Sequence, residues 1–186
     1  MTQIDNTIGE TPVQEAVVPD PLPPAALGKL LVRPGDTIGA LICQIYGTYR
    51  NKTMGAVLEA NPHITKPNRI EPGDEIIFPA MLFPVNEKAL ETHWVILNET
   101  DELSTADKMM REYGRSIQTP LRLISWWSPA EGLRFRVAVR GTFASLEEAD
   151  QFLAGLPRET ADEARVVSRW EENAHLFSEL YIGPRR

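Results

Sequence analysis

The sequence predicts an α+β chain of two small units behind a proline-rich start. Short apolar runs, punctuated by Pro-Gly and Asn-Pro, order themselves as strand, helix, helix, strand over residues 27–80. A second series over residues 92–170 runs strand, helix, strand, strand, helix, strand. Ahead of both, residues 1–26 hold Pro12, Pro19, Pro21, Pro23 and Pro24, with Asp5, Glu10, Glu15 and Asp20 as their only charges, so they read as an extended linker with no core of its own. A linker in that place implies something to be linked to, and the expectation is a fragment whose N-terminal partner domain lies elsewhere.

Each element of the first unit has a local cause. Leu30-Leu31-Val32 is an apolar strand stopped by Pro34-Gly35. Asp36 or Thr37 can cap a helix that places Ile38, Leu41, Ile42 and Ile45 on one face, and Gly47 ends it. A second helix from about Thr53 carries Met54, Val57 and Leu58 until Asn61-Pro62 stops it. The turn Asn68 to Asp74 then leads into a strand over Glu75 to Pro79.

The second unit starts with a strand at Trp94 to Leu97, then a helix from about Asp101 to Tyr113 with Leu103, Ala106, Met110 and Tyr113 along one side. Strands Leu121 to Trp127 and Leu133 to Val139 form a hairpin across Ser128 to Gly132. Ser145-Leu146-Glu147-Glu148 fits a capping box and opens a second helix with Leu146, Ala149, Leu153 and Leu156 on one side. Ala164 to Trp170 makes the last strand. This β-α-β-β-α-β order is the ferredoxin-like arrangement. Residues 81–91 join the units, and the tail 171–186, with Leu176, Phe177, Leu180 and Tyr181, is expected as a short docking helix.

Composition limits the function. The chain has 186 residues, 42% of them hydrophobic and 24% charged, with a net charge of −7. An acidic chain disfavours nonspecific nucleic-acid or anionic-lipid binding as a main role. No apolar run approaches the roughly 18 residues of a membrane helix, so no membrane insertion is expected of this chain. Cys43 is alone, and His63, His93 and His175 are scattered, which points to neither a disulfide nor a metal site. Hydrolase, phosphate-loop and zinc-protease motifs are missing. The acid pairs Asp101-Glu102 and Glu147-Glu148 sit in first helical turns, where negative charge favours the macrodipole, so no catalytic residue and no cofactor is expected.

Four segments in order carry a resemblance: Val32 to Ile38, the helix ending in Tyr46-Gly47, Val57 to Ile64, and Ile70 to Pro79. Together they resemble a LysM domain over residues 28–80, with a longer connection Tyr46 to Lys52 between the helices. The resemblance implies binding of N-acetylglucosamine-containing glycan, such as peptidoglycan, in a shallow groove between Gly35, Asp36, Thr37 and Ile38 on one loop and Asn61, Pro62, His63 and Ile64 on the other. Amides and hydroxyls there can bond acetamide groups while the isoleucines touch sugar faces. The plainer reading is that Asp36 and Thr37 cap one helix and Asn61-Pro62 ends another.

The run Phe135 to Phe143 followed by Glu147 to Leu153 is similar to a SPOR domain over residues 92–170, although Leu97 to Thr100 replaces that family's usual first-strand ending. Alternation sends Leu133, Phe135, Val137 and Val139 toward the helices and Arg134, Arg136 and Arg140 to the other side, where Arg122 and Trp126 share a parity. The resemblance implies that Arg122, Trp126, Arg134 and Arg136 form an open sheet face for glycan strands. The alternative is an ordinary solvated face with Trp126 under the tail. The functional expectation is therefore a noncatalytic peptidoglycan-binding protein of the cell envelope or periplasm, or the envelope-facing part of a larger secretion or assembly protein, with avidity from two modules. Alternatives are a protein-interaction module of an envelope complex and, less favoured by charge, single-stranded nucleic-acid binding.

Overall fold

The computed structural model describes residues 21–85, 89, 91–170 and 173–180. The expected linker is thus described only from residue 21, and parts of the connection 81–91 and of the tail lie outside the described residues. The chain is mixed α+β, with a two-stranded sheet and a five-stranded antiparallel sheet.

In the first unit β1 (Ala26–Leu31) pairs antiparallel with β2 (Glu75–Pro79), Leu30 opposite Ile76 and Lys29 opposite Ile77. The strand starts earlier than the apolar run because Gly28, at φ 135°, carries it past an irregularity in register. α1 (Ile38–Tyr46) is capped by Thr37, whose hydroxyl accepts the Ala40 N–H at 3.2 Å, and ends at Gly47 in the left-handed region. α2 (Asn51–Ala60) begins before the expected Thr53; Arg50 precedes it without a side-chain cap, so no capping residue announced its start.

In the second unit β3 (Trp94–Thr100), β4 (Leu121–Ser128), β5 (Gly132–Val139) and β6 (Arg165–Val167) are joined by a fifth strand, β7 (His175–Leu176), in the order β6-β3-β5-β4-β7. α3 (Leu103–Ser116) lies against β3, β4 and β5, and α4 (Leu146–Ala154) against β3 and β6. A single turn, α5 (Arg158–Ala161), precedes β6. The last strand is shorter than Ala164 to Trp170, because only Arg165 to Val167 find partners on β3.

The tail corrects a sequence expectation. Its described part, residues 173–180, holds a short strand and no helix, with Leu176 opposite Trp126 and His175 opposite Trp127. Adjacent residues Leu176 and Phe177 enter different cores on the two sides, a period of two that a helix cannot supply.

Those cores flank the large sheet. The main one is continuous across both units, uniting Leu30, Ile42, Val57 and Phe78 with Leu97, Leu123, Phe135 and Phe177. The smaller one lies on the opposite sheet face and contains Trp94, Ile124, Trp126, Ala138, Leu176 and Leu180. Because the first unit contributes to the main core, residues 81–91 connect two parts that are packed together.

The tail also stitches the units. The Glu179 N–H donates to the Tyr46 carbonyl at 2.9 Å, and the Ser178 hydroxyl donates to the Ile45 carbonyl at 2.9 Å while accepting the Ser125 N–H at 2.9 Å. Gly47 sits at this seam with φ 75°, and a Cβ there would lie 2.8 Å from the Glu179 carbonyl oxygen. Gly47→Ala combines left-handed strain with a backbone clash and is expected to destabilise the fold by about 2 kcal/mol. Urea unfolding checks this, and an unchanged midpoint would show that the tail yields without cost.

Candidate functional site

The two loops expected to form a groove are held by different neighbours. Asp36 is 12% exposed at its side chain, and its carboxylate accepts the Arg33 N–H at 3.0 Å and the Arg111 guanidinium of α3 at 3.2 Å. Asp36 therefore joins the first unit to the second and is no free sugar ligand, nor does it cap α1, which is Thr37's role. Asn61 is fully buried. Its amide donates to the Val57 and Ile77 carbonyls, both at 2.7 Å, and its Oδ1 accepts the Ile77 N–H at 2.8 Å. This side chain fastens the end of α2 to the outer edge of β2, with both of its N–H donors and one lone pair of its oxygen used internally.

What those loops leave on the surface is narrower than expected. Gly35, Thr37, Pro62 and His63 are exposed, Ile64 is half-buried, and Ile38 belongs to the core. The His63 Nε2 is 3.0 Å from the Glu75 carbonyl, which turns the ring along β2. Among the described residues no hydrogen bond or ion pair links the 35–38 loop to the 61–64 loop.

Tyr49 was missed. It is 48% exposed, in the connection between α1 and α2, with its ring against Gly39 in the first turn of α1. A Cβ at Gly39 would meet the ring at 3.7 Å, an ordinary van der Waals contact, so the ring lies over the first turn of α1. The unusual length of the Tyr46 to Lys52 connection was the sequence signal.

On the second unit the alternation held. Arg122, Trp126, Arg134 and Arg136 share one sheet face, since Trp126 pairs with Arg134 and Ile124 with Arg136. That face is not open. Trp170, Leu176 and Leu180 cover it, leaving Trp126 fully buried and Arg122 and Arg136 nearly so. The Arg136 guanidinium lies 4.3 Å from the Trp126 ring centre and 5.0 Å from that of Trp170, and it pairs with Glu99, which also holds Arg165 at 2.8 Å. The guanidinium's π-contacts and its charge are thus engaged inside the protein. Arg134 is half-buried between Glu131 at 3.6 Å and Asp101 at 3.9 Å.

Arg122 lies over the Trp94 ring at 5.2 Å and donates to the Glu179 carbonyl at 2.5 Å. Burial, reinforced by the nearby Arg140 charge and partly offset by Glu179, pulls its pKa down to about 10. Burial likewise pushes the Tyr46 hydroxyl upward from its ordinary range; that hydroxyl donates to the Pro79 carbonyl at 2.8 Å. Among the described residues no three His, Cys, Asp or Glu side chains gather as metal ligands, and no helix is long and apolar enough to cross a membrane.

Comparison of the chain with family models, with curated proteins and with solved structures found no match. The reading of function rests on the residues themselves.

Proposed function

We propose that this chain is a noncatalytic glycan-binding protein of the bacterial cell envelope, its first unit a LysM-type module for N-acetylglucosamine-containing strands such as peptidoglycan. The observation that carries this reading is the coincidence of motif and fold. The Val32-Arg33-Pro34-Gly35-Asp36-Thr37 and Ile70-Glu71-Pro72-Gly73-Asp74 runs fall at the ends of two paired strands that enclose two helices, strand-helix-helix-strand in chain order. In this reading the sugar lies on the exposed backbone of Gly35, the Thr37 hydroxyl and the Tyr49 ring, with Pro62, His63 and Ile64 as the second edge. Asp36 and Asn61 build the site and do not touch the ligand.

The second unit is read as a ferredoxin-like support, a reading favoured by its β6-β3-β5-β4 order with every neighbour antiparallel. Its likeness to SPOR domains stays at the level of element order and the Phe135 to Phe143 run. With Arg122, Trp126 and Arg136 covered, that face contributes stability and not glycan contact.

The test is cosedimentation of the whole chain with insoluble peptidoglycan, competed by N-acetylglucosamine oligomers. Tyr49→Ala is expected to lower retention roughly fivefold, the worth of one aromatic stacking contact. Thr37→Asn keeps a capping oxygen and should weaken retention without unfolding. A folded chain that stays in the supernatant would turn the reading to a protein-interaction module.

A further inference from the structure

The two-stranded sheet of the first unit has one closed edge and one open one. On β2 the Ile77 N–H and C=O that point away from β1 are both taken by Asn61, and the Glu75 carbonyl lies 3.0 Å from the His63 ring. β1 has no such cover. Ladder bonds alternate along an antiparallel pair, and the Val32 N–H donates to the Asp74 carbonyl at 2.8 Å next to the position where Leu31 faces Glu75. Lys29 and Leu31 therefore turn their own N–H and C=O groups away from β2. No hydrogen bond meets those groups among the described residues. The Leu31 side chain is 61% exposed beside them, and an open edge with an exposed apolar residue is a template for another strand.

A cleft of about 260 Å³ lies here, lined by Lys29, Leu30 and Leu31 of β1 and by Glu102, Ser104 and Asp107 at the start of α3. Most of its charge is matched, Asp107 by Arg33 and Arg111 and Lys29 by Glu75 at 2.8 Å. Glu102 is different. Its carboxylate accepts from the Ser104 hydroxyl at 2.6 Å and the Thr105 hydroxyl at 2.9 Å, and no cation pairs with it among the described residues. Those two bonds hold its pKa below the ordinary carboxylate value, so the charge is present at neutral pH. We propose that this edge binds an extended peptide bearing a basic side chain, which adds a strand to β1 through Lys29 and Leu31 and sets its cation against Glu102. Main-chain bonds to the two open residues supply affinity, and Glu102 selects the side chain. A cleft of this volume takes a short stretch of chain and not a folded partner. The site shares no residue with the glycan surface and does not depend on that reading.

Amide hydrogen exchange of the full chain, followed by NMR, tests this with three capped pentapeptides as probes: Val-Lys-Val-Lys-Val, Val-Glu-Val-Glu-Val, and the lysine peptide N-methylated throughout. At about 1 mM the lysine peptide should slow exchange at Lys29 and Leu31 roughly threefold. Ile77, already bonded to Asn61, should not change, and the other two peptides should have no effect. Glu102→Gln keeps the size of the side chain and one of its oxygens. It should raise the concentration of lysine peptide needed for half-protection about threefold, with exchange at Ile77 unaltered as the sign of an intact fold. No slowing by the lysine peptide at about 10 mM, equal slowing by either of the other peptides, or an unchanged response in Glu102→Gln would overturn the proposal. So would Lys29 and Leu31 amides already protected without peptide: protection that grows with protein concentration assigns the edge to a second copy, and protection independent of it assigns the edge to the chain itself.

Discussion

Replacing Trp126 by alanine is expected to destabilise the protein by about 4 kcal/mol, measured as a drop in urea midpoint at unchanged slope. Trp126 is fully buried in the smaller core, opposite Leu176 of the tail strand and beneath the Arg136 guanidinium at 4.3 Å. Truncation removes the indole from Leu176 and Leu180 and takes away one of the two rings in contact with the Arg136 guanidinium. The β7 strand is only two residues long, and this apolar contact holds it on β4 together with the His175–Trp127 ring contact and the bonds of Phe177 and Ser178 to Ser125. Loss of the tail should in turn release the Ser178 and Glu179 bonds to α1.

Trp126→Phe separates burial from hydrogen bonding. The Trp126 Nε1 has no hydrogen-bond partner among the described residues, so phenylalanine gives up ring area but no bond. It should cost less than half of the alanine change. A solvent-facing, ligand-binding Trp126 would behave in the opposite way, with stability intact and glycan retention lost.

How far such features were legible in the sequence depends on whether their cause was local. Asp36 or Thr37, Gly47 and Ser145 announced helix ends through their own backbone needs, and the structure puts caps at Thr37, Gly47 and Ser145, with the Ser145 hydroxyl accepting the Glu148 N–H at 3.2 Å. The Glu148 carboxylate reaches back one residue further than a capping box requires, to the Ala144 N–H. Strand alternation correctly placed Arg122, Trp126, Arg134 and Arg136 on one face, since a period of two is written in adjacent residues. What covers that face was not legible, because Trp170, Leu176 and Leu180 arrive from some forty to fifty residues away in sequence. The same holds for Asp36 and Asn61: a polar residue in a loop looks like a ligand until its partners, Arg111 and Ile77, are seen. The tail was misread as a helix for a related reason, its strand being specified by an edge on β4 and not by its own pattern.

Asp107→Asn is expected to cost about 3 kcal/mol, because this carboxylate organises the contact between the two units. Its side chain is 3% exposed, and it accepts from the Gln44 amide at 2.8 Å, from Arg111 Nε at 3.1 Å and from Arg33 at 3.2 Å. Arg111 then extends the network to Asp36 at 3.2 Å. Gln44, Arg33 and Asp36 belong to the first unit and Asp107 and Arg111 to α3, so the network spans the seam beside the shared core. An asparagine has nearly the same shape but brings two N–H donors to a place already occupied by donors, and it leaves two guanidiniums without their shared counter-charge. The estimate stays at the low end for a buried ion pair, since Arg33 and Arg111 are partly exposed and can regain water. If the units unfold together, as a common core requires, a single urea transition moves to lower concentration with its slope unchanged. Two transitions, with only one displaced, would mean that the seam is weaker than either unit. A shift under about 1 kcal/mol would place Asp107 among screened surface pairs, and the docking of the first unit would then rest on Leu30, Ile42, Phe78 and their apolar neighbours together with the tail's bonds to α1.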